Sequence, residues 1–120
     1  MKIMQLEFNG KVYEEKFGMG LMRELNKRYK IEKEGMSFAI GLQAVLSEIY
    51  AGNVVSLSEL LTLANKTESD KFTQAQLDEA FEKGELDVEK TFDDVTAALK
   101  ESNVTKFATK NFEKGLQTSK

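Results

Sequence analysis

Apolar and polar residues alternate at the start of the chain and then fall into a helical rhythm. Met4, Leu6 and Phe8 are separated by Gln5 and Glu7, and Asn9-Gly10 follows directly. A period of two puts one set of side chains on one face of a strand. Asn-Gly tolerates positive φ at both centres of a type I′ turn. A hairpin over residues 1–17 is therefore predicted, with Phe8 opposite Lys11, Leu6 opposite Tyr13 and Met4 opposite Glu15. One of its faces is mostly apolar and needs a helix to cover it. That helix is expected from about Gly20, where Leu21, Met22, Leu25 and Tyr29 recur at helical spacing and Gly18 and Gly20 supply the corner.

The same period continues through the rest of the chain. Phe38, Leu42, Val45, Leu46 and Ile49 predict a helix from Phe38 to Tyr50, with Leu42, Val45 and Ile49 in the core and Gly52-Asn53 as a left-handed stop. Ser56-Leu57-Ser58-Glu59 reads as a capping box ahead of Leu57, Leu60, Leu61 and Ala64. A polar loop is expected from Asn65 to Lys71, and Thr73-Gln74-Ala75-Gln76 repeats the capping device before Leu77, Ala80 and Phe81. Beyond Lys83-Gly84, Asp87 can cap a helix carrying Val88, Phe92, Val95 and Leu99. Ser102-Asn103 then breaks the chain before a last helix with Val104, Phe107, Ala108, Phe112 and Leu116. The expected fold is α+β and mostly α-helical, a small N-terminal β-hairpin followed by about five to six short helices. It forms a single domain over 1–120, with the hairpin at 1–17, a helical part at 18–116 and a frayed tail at 117–120.

Composition narrows the chemistry. A chain of 120 residues, 41% of them hydrophobic and none of them proline, suits one domain whose helices are joined by short capped turns. There is no cysteine and no histidine, so thiolate nucleophiles, the usual transition-metal ligands and the commonest general base are missing. No enzyme activity, cofactor or metal is expected. Gly18-Met19-Gly20 could open a phosphate loop, but Arg23 stands where a third glycine belongs and no Gly-Lys-Ser/Thr follows. The Asn65-Lys66-Thr67 and Asn103-Val104-Thr105 triplets match a glycosylation acceptor only by chance, because no secretory leader or membrane span is seen.

Charge is uneven. Residues 78–94 hold eight acids against two lysines, without the order of a calcium loop, whereas residues 100–120 hold five lysines against two glutamates. These are solvated faces, or complementary potentials that steer a partner or a second copy. The overall charge of -3 gives no reason to expect nucleic acid.

The adaptable apolar residues are the candidates for partner contact. Met19 and Met36, beside glycines, can line a groove near the hairpin–helix corner; Met22 shares a stripe with Leu25 and belongs to the core. Phe107, Phe112 and Leu116 lie late in the chain among lysines, and for Phe107 both partner contact and packing on its own core stay open.

Several segments together resemble the tail assembly chaperones of long-tailed (siphovirus-type) phages of Gram-positive bacteria. They are the hairpin, Phe17-Gly18-Met19-Gly20, Arg23-Glu24-Leu25-Asn26-Lys27-Arg28-Tyr29, Gly41-Leu42-Gln43, the Gly52-Asn53 stop, and Leu99-Lys100-Glu101-Ser102-Asn103-Val104-Thr105-Lys106. The resemblance implies a protein that binds the tape measure protein, keeps it soluble and helps recruit tail tube protein, the last through a longer frameshifted form. It also implies a homo-oligomer acting in the host bacterial cytoplasm and absent from the mature virion. Family members often carry proline after Gly-Asn; Val54 stands there instead, which leaves the start of the next helix open. The alternative readings are a small phage regulatory or DNA-associated protein and a small hydrolase.

Overall fold

A computed structural model describes residues 4–118. Strands β1 (Met4–Phe8) and β2 (Lys11–Glu15) pair antiparallel in the predicted register, around Asn9 and Gly10 at φ 56° and 68°. Met4, Leu6, Phe8 and Tyr13 are buried on one face. Phe8, Tyr13 and Phe72 form a triangle of rings with centroids 4.8, 5.4 and 5.2 Å apart, which locks the loop before the fourth helix onto the hairpin.

Helix α1 (Met19–Arg28) begins one residue earlier than predicted and buries Leu21 and Leu25. The next stretch differs from expectation. Strands β3 (Lys30–Lys33) and β4 (Met36–Ala39) form a second hairpin where Phe38 was expected to open a helix. Glu34 and Gly35, at φ 54° and 77°, make another two-residue turn of the type I′ kind, and this local geometry overrides the helical spacing of Phe38 to Leu42. Helix α2 (Gly41–Tyr50) therefore starts later and buries Leu42, Val45, Leu46 and Ile49. It ends in a Schellman closure: Gly52 has φ 78°, its N–H donates to Ile49 O at 3.0 Å, and the Asn53 N–H donates to Glu48 O at 3.0 Å.

Helix α3 (Val54–Asn65) is capped by Asn53, whose Oδ1 accepts from the amides of Val55 and Ser56 at 3.0 and 3.2 Å. The Ser56–Glu59 box is thus not formed, because a better cap lies three residues upstream and puts Ser56 inside the first turn. Helix α4 (Gln74–Lys83) does have its predicted box between Thr73 and Gln76, and ends at the left-handed Gly84. Helix α5 (Val88–Glu101) is capped by Asp87 as predicted and buries Val95, Ala98 and Leu99. Helix α6 (Lys106–Thr118) starts after a turn that holds Val104, and the tail expected to fray at 117–120 falls at the end of, or outside, the described residues. Helix α2 packs against α1, α3 and α6, while α3 also meets β2 and α4.

Polar contacts fix how these elements meet. Asn65 is fully buried: its Nδ2 donates to Glu14 O at 3.0 Å and Asp70 O at 2.9 Å, and its Oδ1 accepts from the Phe72 amide at 3.0 Å. Instead of opening a polar loop it closes one, and with no free side-chain amide it is no glycan acceptor. Gly41 is held to α1 by its N–H, which donates to Asn26 Oδ1 at 3.1 Å. An added Cβ there would stand 2.6 Å from that oxygen and 2.6–2.7 Å from the backbone of Leu25 and Asn26. Ser102 Oγ donates to Phe17 O at 2.7 Å, tying the end of α5 to the corner before α1.

Candidate partner-binding surfaces

Several residues of the distinctive sequence segments join elements of the fold. Phe17 is buried and bound by Ser102, while Asn26 and Gly41 join α1 to α2. These residues are the joints of the fold, so contact with other proteins falls to the surfaces left over.

The most exposed large apolar side chain of α6 is Phe107, with 75% of its surface open. Lys106 and Lys110 flank it on the helix, and Lys100 of α5 faces it across a groove of about 460 Å³. One wall of this groove is fixed. Glu113 accepts from Tyr50 Oη at 2.8 Å and meets Lys100 Nζ at 3.1 Å. The tyrosine hydrogen bond and then the lysine hold the Glu113 carboxyl below its usual range; burial, together with the carboxylate, pushes the Tyr50 hydroxyl above its own. Phe112 is half-buried against Tyr50, with ring centroids 5.1 Å apart. Leu116 is partly exposed further along the helix. The three residues expected at the end of the chain therefore divide: Phe107 faces outward, Phe112 serves the α6–α2 contact, and Leu116 is exposed nearer the end of the helix.

Met19 and Met36 are both exposed. Met19 opens α1, and Met36 lies in β4, which follows the other end of that helix in the chain. Met4 is buried in the core and Met22 packs against it. The second hairpin adds Ile31 and Phe38, and every residue of β3 and β4 is exposed. Sequence reasoning missed it, because Glu34-Gly35 is not one of the usual two-residue hairpin turns even though Ile31, Met36 and Phe38 alternate with polar or small residues around it.

A further apolar groove of about 200 Å³ is lined by Val54, Val55 and Phe81, with Asp78 and Glu82 beside it. The acidic segment of the chain thus borders one apolar surface and the basic segment another. Among the described residues, no group of three or more acidic, histidine or cysteine side chains could hold a metal ion, and no helix is long and apolar enough to cross a membrane.

One carboxyl group stands apart. Glu15, at the end of β2, is fully buried, and neither carboxylate oxygen has a hydrogen-bond partner. Burial, and secondarily the charge of Glu68, pushes its pKa up to about 10, so it is neutral at pH 7.

Apolar contact and charge are what these surfaces offer, the equipment of a binding protein. Residues 5–114 match the family described as phage tail assembly chaperone protein, TAC. The match spans nearly the whole chain, and the protein belongs to this family, which assists tail assembly and is not a class of enzyme. No curated protein and no solved structure matches the chain.

Proposed function

We propose that this chaperone binds the tape measure protein, keeps it soluble and helps recruit tail tube subunits, acting in the host cytoplasm and leaving before the virion is complete. The observation that carries the reading is Phe107, an aromatic side chain open to solvent within a lysine-lined groove on a chain of this family. A long amphipathic helix aggregates through its apolar face until that face is covered, and exposed apolar residues on a small stable domain can cover it. Met36 and the hairpin around it give a second contact. Many copies along one tape measure add avidity while each contact stays weak enough for release. Tube recruitment is assigned to a longer frameshifted form, and the single-domain organisation over 1–120 is part of the same proposal.

Co-expression with a tape measure fragment, followed by size exclusion with light scattering, tests this. The fragment should elute soluble with several copies of the chaperone and precipitate without it. Recovery of equal amounts of soluble fragment with and without the chaperone would refute the reading. Removing everything after Asn103 is a poor probe of the interface, because it deletes the buried Thr105 of the preceding turn together with the buried Thr109 and the Phe112–Tyr50 contact of α6.

A further inference from the structure

Among the described residues, the second hairpin has a free edge, and its chemistry matches itself. Ile31 lies opposite Phe38, and Lys33 opposite Met36, so one face carries Ile31, Lys33, Met36 and Phe38 and the other Lys30, Glu32, Ser37 and Ala39. An isolated two-stranded sheet with both faces wet is marginal in stability, and an unpaired strand edge is a template for another strand.

The hydrogen-bond phase says which backbone groups are free. The Ile40 N–H donates to Tyr29 O at 3.0 Å, so Tyr29 and Ile40 form a hydrogen-bonded pair. Such pairs alternate along an antiparallel ladder, so Ile31 and Lys33 direct their N–H and C=O groups toward β4. Lys30 and Glu32 direct theirs away from it, along the outer edge of β3.

We infer that β3 pairs antiparallel with β3 of a second copy of this chain about a two-fold axis at Ile31. Lys30 then lies opposite the second copy's Glu32, and Glu32 opposite its Lys30, with both pairs exchanging backbone hydrogen bonds and matching opposite charges. Ile31 lies opposite the second copy's Ile31 at a non-hydrogen-bonded position, where side chains approach most closely. Moving the axis to the next residue compatible with the free edge, Glu32, sets two carboxylates opposite each other and is disfavoured. On β4 the equivalent pairing brings Ser37 opposite Ala39, with no charge to select it.

The product is a four-stranded sheet with an unbroken apolar row, Phe38 and Ile31 of one copy followed by Ile31 and Phe38 of the other. That row is about 14 Å wide, enough to seat about nine residues of an amphipathic helix. Seating the tape measure there rests on the proposed function; the self-pairing does not.

The chain has no cysteine, which makes the geometry directly testable. Opposed Cα atoms at a non-hydrogen-bonded position lie about 4.5 Å apart, within disulfide range. With the full chain alone under mild oxidation, Ile31→Cys should form a covalent dimer readily and Phe38→Cys slowly. Light scattering over a concentration series should show loss of the dimer for Glu32→Lys and its return for the doubly exchanged Lys30→Glu/Glu32→Lys, with circular dichroism unchanged throughout. The inference is overturned if Phe38→Cys cross-links faster, if the double exchange stays monomeric, or if neither cysteine variant cross-links. A dimer that persists in Glu32→Lys places the contact elsewhere and also overturns it.

Discussion

Replacing Asn65 with alanine removes one side chain and leaves three backbone groups without their partner: the carbonyls of Glu14 and Asp70 and the amide of Phe72. A buried backbone group left unpaired costs about 1–3 kcal/mol. Glu14 and Asp70 are exposed, so their carbonyls can be hydrated, whereas Phe72 is buried among Phe8 and Tyr13 and its amide cannot. That one poorly hydrated group sets the loss at about 2 kcal/mol, which lowers the midpoint of thermal unfolding by about 8 °C in a domain of this size. Asn65→Asp keeps the acceptor for Phe72 but turns a donor into an oxygen facing two carbonyls. It should be worse than alanine at neutral pH and recover as the pH falls and the carboxyl is protonated. Differential scanning calorimetry of both variants between pH 5 and 8 measures this. A midpoint within about 2 °C of the parent for either variant would show that Asn65 is not the clasp between hairpin and loop.

Gly41→Ala should destabilise the fold by about 1–3 kcal/mol, because the new methyl group meets α1 backbone rather than a movable side chain; chemical denaturation checks it, and an unchanged midpoint would refute the close approach. Glu15 gives a pH dependence of definite sign. Its folded pKa, about 10, lies above the ordinary carboxyl value of 4.5, so the folded state binds the extra proton and stability falls as pH rises between those values. The slope attributable to this one group is about 1.4 kcal/mol per pH unit, and Glu15→Gln should remove it and gain stability at neutral and alkaline pH. Parallel stability–pH curves for the two proteins would contradict the buried neutral carboxyl.

The first hairpin was legible because alternation and Asn9-Gly10 agree, and the caps at Thr73 and Asp87 because each is a short local code. The second hairpin was not. Phe38 lies four residues before Leu42 and so matched a helical stripe by coincidence, while the deciding left-handed geometry at Glu34 is one that a non-glycine residue seldom adopts. Asn53 was read as part of a stop, although it both closes α2 and caps α3. The burial of Glu15 opposes the ordinary rule for carboxylates, although its register opposite Met4 already sets it on the apolar face of the hairpin. Of the candidate contact residues, Phe107 and Phe112 share the last helix, but the orientation of Phe107 depends on the angle at which α6 docks, and Phe112 is turned inward because Tyr50 is there to receive it.

The central claim is that open apolar residues on the lysine-lined face hold the tape measure, and the affinity of a labelled tape measure fragment for the parent chain and for Phe107→Ser tests it most directly. Burying most of a phenylalanine contributes about 1.5–3 kcal/mol, so the substitution should weaken binding about tenfold to a hundredfold. The unfolding midpoint should not fall, since the side chain is already exposed. Equal affinity for the two proteins, both folded, would contradict the account.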